Sequence, residues 1–149
     1  MDAFELLKAD HKKVSGIFER IDDAGDEDTS ARRSLFAQVK SELETHTHIE
    51  ETIFYPALKQ AAETREIVIE AIEEHQEVKD LLAEIEGIPA DSDDWSDKVT
   101  ELKEAVEHHV EEEEGEMFDK ARDVLSRQQI EELGNRMEAE KQRKAAGAS

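Results

Sequence analysis

The chain has no cysteine, which excludes a disulfide framework, a thiolate zinc site and a cysteine-ligated iron–sulphur cluster. Only two prolines and six glycines occur, so little in the chain interrupts a helix. Aromatic residues make up 5% of the composition, which leans toward helix and away from sheet. No stretch approaches the ~20 apolar residues of a membrane-spanning helix. The opening run MDAFELLKADHKK lacks the basic-then-apolar order of a secretory signal, and the expectation is a cytoplasmic protein. Positive charge is also scarce. Nineteen Lys and Arg stand against forty Asp and Glu, for a formal net charge of -21, which works against nucleic-acid binding and against attraction to anionic membranes. The 149 residues suffice for one domain with a sizeable core.

What the chain does have is helical periodicity. Stepping alternately by three and four gives four seams: Phe4, Leu7, His11, Val14, Phe18, Ile21; then Phe36, Val39, Leu43, His46, Glu50, Ile53; then Val68, Ala71, His75, Val78, Leu82, Ile85; and Trp95, Val99, Leu102, Val106, His109, Glu113, Met117. Such spacing marks one helix face turned toward a core. The breaks between them are short. DDAGDEDT (22–29) is polar, and Ser30 is the expected cap of the second helix. GIPADSDD (87–94) ends the third helix and begins the fourth. Pro56 is expected to end or kink the second helix near Tyr55, and a weakly marked break falls around 61–65. A shorter fifth pattern, Ile130, Leu133, Met137, follows a capping box over Ser126–Gln129, and RKAAGAS (143–149) reads as a frayed tail. The expected organisation is an all-α, up-down-up-down antiparallel four-helix bundle over 1–125, with a short amphipathic helix and tail over 126–149.

Six seam positions are occupied by the wrong kind of residue. His11, His46, Glu50, His75, His109 and Glu113 sit where apolar side chains belong. An unpaired buried imidazole costs a few kcal/mol, roughly, and an unpaired carboxylate more. The six also repeat. Asp10-His11 aligns with Glu74-His75 sixty-four residues later, and His46, Glu50, Glu51 align with His109, Glu113, Glu114 sixty-three residues later. Two similar helical hairpins about a pseudo-twofold axis follow. Glu50 and His75 each lie roughly 15–18 Å from the turn between them at 1.5 Å per residue, so the ligands converge at one height. A metal centre is the common partner that satisfies all six: two Glu bridge two metals, and four His cap them two apiece. Two divalent ions bring +4 against -2 from the Glu pair. The donor set suits iron, manganese or zinc without choosing among them.

The runs HTHIEETIFYPAL (46–58) and HHVEEEEGEMFDKAR (108–122) resemble the two histidine–glutamate motifs of the hemerythrin-like, or HHE cation-binding, family. Asp10-His11 and EEHQEVKDLL (73–82) are similar to its two single-histidine helices, so the likeness spans about residues 4–125. It implies a four-helix bundle with a non-haem di-iron centre, His11, His46, His75 and His109 as imidazole ligands, and Glu50 and Glu113 as bridging carboxylates. Two positions depart from the oxygen-carrying members. Lys79 stands where they have a second third-helix histidine, and Glu113 follows its histidine by four residues where they have an aspartate at five. Both departures point from reversible oxygen carriage toward redox chemistry or sensing. The implied function is binding of, or reaction with, oxygen, peroxide or nitric oxide, including catalase-like turnover; the alternative is a non-catalytic iron or oxygen sensor or store.

The remaining polar residues take blander readings. His48 and His108 fall off the seam and read as surface histidines. Glu51 and Glu114 are either hydrogen-bond partners of ligand imidazoles or part of a solvated face. Tyr55 is a candidate to gate the site or donate a hydrogen bond there. Phe54, Phe118 and Trp95 read as core, and Lys79 as snorkelling to solvent.

Overall fold

The computed structural model describes residues 1–147, and those residues are helical with no strand among them. Helix α1 spans Ala3–Ala24, α2 Thr29–Ile49, α3 Tyr55–Lys59, α4 Ala62–Glu86, α5 Asp93–Glu112, α6 Phe118–Val124 and α7 Arg127–Gly147. Five-residue π-turns, Glu50–Phe54 and Glu113–Met117, join α2 to α3 and α5 to α6. The bundle is therefore up-down-up-down, with α2–α3 and α5–α6 acting as two long, locally unwound helices. Every seam residue named above is buried.

Local chemistry sets the boundaries. Asp2 and Glu5 cap α1 reciprocally. The cap of α2 is Asp28, which accepts from Ala31 N at 3.1 Å, and not the expected Ser30; the carboxylate two residues upstream reaches the free amides first. Ser92 caps α5 through Trp95 N. The break before α4 comes at Gln60–Ala61, slightly ahead of the expected position, where the buried Thr64 hydroxyl takes the Leu58 carbonyl. Pro56 does not end its helix. The preceding π-turn, closed by Tyr55 N–H on Glu50 O, places the proline in the first turn of α3, where a missing donor costs nothing.

The C-terminal helix is longer than its sequence pattern suggested. The capping box over Ser126–Gln129 is present, but α7 runs 21 residues, through most of the segment expected to fray; Ala148 and Ser149 of that segment lie outside the described residues. It packs against α1, α2 and the first π-turn. Gly134 permits this: a Cβ there would lie 2.4 Å from Met1 O and 2.8 Å from Ala3 N.

Two apolar layers result. Phe4, Leu7, Phe54, Tyr55, Phe118 and Met137 anchor one; Phe18, Phe36, Leu82, Trp95 and Leu102 anchor the other. Beyond the second layer the buried Arg32 guanidinium donates to Ala90 O and Asp26 and stacks on Trp95, tying the two loops at that end together. Between the layers lies a polar one.

A buried histidine–glutamate cluster

All six misplaced residues belong to that polar layer, and each is at most 8% exposed. The two glutamates occupy the first positions of the two π-turns. His46 and His109 sit one turn earlier on α2 and α5, and His11 and His75 come from the middles of α1 and α4. Every imidazole turns Nε2 inward. His46 Nε2 lies 3.1 Å and His75 Nε2 3.0 Å from Glu50 Oε1. His11 Nε2 lies 3.1 Å from Glu113 Oε1, and His109 Nε2 3.2 Å from Glu113 Oε2. Donor atoms of His11, His46, Glu50 and Glu113 fall within 4.8 Å of one another, and so do those of Glu50, His75 and His109. Each glutamate thus faces histidines from both hairpins, the geometry of a bridge.

The outward nitrogens are equally ordered. Each Nδ1 donates to a carboxylate: His11 to Glu114 at 2.6 Å, His46 to Asp10 at 3.0 Å, His75 to Glu51 at 2.8 Å, and His109 to Glu74 at 2.9 Å. An ionised carboxylate only accepts, so these partners fix the proton on Nδ1 and leave Nε2 free to ligate. Glu51 and Glu114, which follow Glu50 and Glu113, serve the single-histidine helices; Asp10 and Glu74, preceding the single histidines, serve α2 and α5. Sequence reasoning assigned no such part to Asp10 or Glu74. Their signal was there, in the aligned doublets Asp10-His11 and Glu74-His75.

Tyr55 breaks the symmetry, because its counterpart sixty-three residues later is Phe118. Its hydroxyl donates to Glu113 Oε2 at 2.6 Å and lies 3.3 and 3.4 Å from the Nε2 atoms of His75 and His109. Burial, then the charges of Glu113 and Glu50, push the phenol well above its ordinary range. His48 and His108 stay outside the cluster: His48 meets Glu140 of α7 at 2.9 Å, and His108 lies beside Glu112 and Glu74 on the surface. Lys79 reaches Glu51 at 3.2 Å with its ammonium near solvent.

Electrostatically the cluster asks for cations. Burial opposes charge on His46, but Glu50, Asp10 and Glu113 overcome it and push the imidazole up to about 10. His109 is likewise driven well above its ordinary value against the pull of burial, chiefly by Glu113. Burial disfavours the Glu50 carboxylate, yet His46 and neighbouring hydrogen bonds hold it well below the usual range. Even so, His46 Nε2 and Glu50 Oε2 are buried without a hydrogen-bond partner, and His75 and His109 bring two ring nitrogens to 3.2 Å. Orphaned polar atoms and four inward-facing Nε2 atoms around two carboxylates fit metal ions well.

The family model of the Hemerythrin HHE cation binding domain matches residues 2–121. The chain belongs to the hemerythrin HHE family. Its fold superposes on the crystal structure of a hemerythrin HHE cation-binding domain-containing protein from Mycobacterium kansasii with a TM-score of 0.88 and 30% identity, covering 99% of this chain and 90% of that one. An uncharacterised Mycobacterium tuberculosis protein is 28% identical over 140 residues, 93% of this chain and 84% of its own. A Nostoc DNA nickase is 28% identical over 144 residues; the HHE chain is matched over 95% of its length but spans only 39% of that relative.

Proposed function

We propose that this HHE domain holds two iron ions in the buried cluster and acts as a non-haem di-iron protein that binds or reacts with oxygen, peroxide or nitric oxide. His11 and His46 would hold one ion and His75 and His109 the other, with Glu50 and Glu113 between them. Manganese and zinc suit the same donors. Iron bound there supplies one-electron redox chemistry and coordination positions open to small ligands.

The observation that carries the reading is the space beside the imidazoles. A cavity of about 20 Å³ is walled by the four histidine rings and by Val14, Leu43, Val78, Val106 and Val110. It has room for a diatomic molecule and no room for an organic substrate. A second cavity of about 200 Å³ lies alongside it, sharing His11, Val14, Val106 and Val110, with Glu107 and Glu111 also in its lining, between α1 and α5. Apolar walls flanked by acidic side chains favour small neutral molecules over anions. Tyr55 keeps a proton at Glu113 Oε2 on the edge of the cluster, where it stands ready for a reduced ligand.

The nicking activity named for the Nostoc relative is not carried over. The chain spans 39% of that protein, and a net charge of -21 repels a phosphate backbone.

Anaerobic loading with ferrous iron, elemental analysis, and optical spectra on adding oxygen, peroxide or nitric oxide form the test. Two ions per chain and a spectral change with at least one ligand are expected. One tightly held ion at saturation overturns the dinuclear centre, and two ions silent to all three ligands overturn the redox reading.

A further inference from the structure

The two halves of the cluster are related by the repeat, yet they are not backed alike. Asp10 and Glu74 are counterparts, each accepting from the Nδ1 of a histidine on the neighbouring helix. Asp10 is 4% exposed, and its second oxygen is taken by the Lys141 ammonium from α7. Among the described residues, the ion pairs of Glu74 are with His109 and His108, and neither a lysine nor an arginine joins them. Its neighbours are His108, at 3.5 Å, and Glu112, and the pair opens to solvent. Helix α7 packs on α1, α2 and the first π-turn, on the Asp10 side.

Lys141 does not arrive by accident of a loose tail. Its helix is seated at Gly134 against the backbone of Met1–Ala3, and the preceding residue, Glu140, is clamped between His48 and Arg143. The ammonium is therefore held where it is.

We infer that Lys141 is a positioning residue that makes the two metal subsites unequal, weakening cation binding by the His11–His46 half relative to the His75–His109 half. This rests on the two-ion reading above. A carboxylate that accepts from Nδ1–H makes the imidazole a stronger ligand. A lysine on the same carboxylate draws off part of that charge and sets a fixed positive charge behind the ligand, in a region of low dielectric where it acts on the ion. The other half has its own lysine on a backing carboxylate, Lys79 on Glu51 at 3.2 Å, but that pair is the more exposed, 46% and 27% against 31% and 5% for Lys141 and Asp10, so solvent screens its charge more strongly. Loading should therefore proceed in two steps, the His75–His109 half first. With iron, the His11–His46 ion should be the easier of the two to keep reduced.

The experiment is stepwise titration of the metal-stripped full chain with Co(II), comparing wild type with Lys141→Met, which keeps the apolar stem, and Lys141→Arg, which keeps the charge. Wild type should show two steps. In the methionine variant the weaker step should tighten by about tenfold, the scale on which such outer partners act, and approach the first; the arginine variant should keep them apart. In the iron-loaded protein the higher of the two reduction potentials should fall in the methionine variant only. Unchanged steps in Lys141→Met overturn the proposal while leaving the two-ion centre standing. So does equal weakening of both steps, the mark of a lysine that merely fastens α7. A wild type that takes one Co(II) only sinks the two-ion reading itself, and this inference with it.

Discussion

His46 carries the sharpest conflict in the chain, for burial opposes its charge while Asp10, Glu50 and Glu113 demand it. In chelator-treated protein the demand wins and the folded state holds a proton that the unfolded state releases near 6.5. The sign follows from linkage. A raised imidazole contributes stability that is complete below about 6.5 and lost as pH rises through about 10. The stripped protein should therefore melt at progressively lower temperature from pH 6.5 to pH 10, and scanning calorimetry across that range checks it; a flat profile contradicts the assignment. Metal must displace the same proton, so metal affinity should rise over the interval in which the stripped protein weakens. Substitution separates inner from outer histidines. His46→Ala should cost at least about tenfold in metal affinity, whereas His48→Ala, which breaks only a contact to Glu140, should load normally in an equilibrium competition with a chromophoric chelator. At this scale the sequence was most readable, since six ionisable residues inside apolar seams cannot be placed anywhere cheap. Asp10 and Glu74 were less readable, because an acidic residue beside a histidine is ordinary on a helix and only the three-dimensional crossing to the neighbouring helix gives it work.

Among the elements, the π-turns explain most of what periodicity missed. One extra residue in a turn rotates everything after it by about 100°. A straight continuation of the α2 seam past Ile53 would turn Ala57 inward, yet the deeply buried residues are Phe54, Tyr55 and Leu58. The same rotation after Glu113 buries Phe118 and Ala121 and leaves Glu116 outside. The rotation brings the Tyr55 hydroxyl to the cluster; the sequence offered Tyr55 as a hydrogen-bond donor there, but not the π-turn that delivers it. The length of α7 was hidden for a different reason: its outer turns are polar and held by ion pairs such as Glu140–Arg143, so they carry no seam. Its seat can be tested by two glycines with opposite outcomes. Gly16 lies in α1 with open space where a Cβ would go, so Gly16→Ala should stabilise by about 0.5–1 kcal/mol. Gly134→Ala drives a methyl into the backbone of Met1–Ala3 and should destabilise by about 1–3 kcal/mol. Urea unfolding of the two variants under one buffer decides both.

For the whole molecule, a polar layer between two apolar ones means that stability and occupancy are linked. Ions that bind only the folded chain should raise the melting temperature by roughly 5–10 °C at a hundredfold excess over Kd, and equal melting with and without chelator would contradict a buried site. The antiparallel bundle itself was legible because four seams, short breaks and a sixty-three-residue repeat all specify it. The layering has an optical consequence as well. The chain contains one tyrosine and one tryptophan, and the fold assigns them to opposite layers, Tyr55 against the cluster and Trp95 beside Arg32 at the far loops. Ultraviolet signals from the native protein are thus sorted by place without any label. Tyrosine absorbance reads the environment of the carboxylates, and tryptophan emission reads the remote end, so a denaturation that shifts emission before absorbance would locate the first opening of the bundle at its loops.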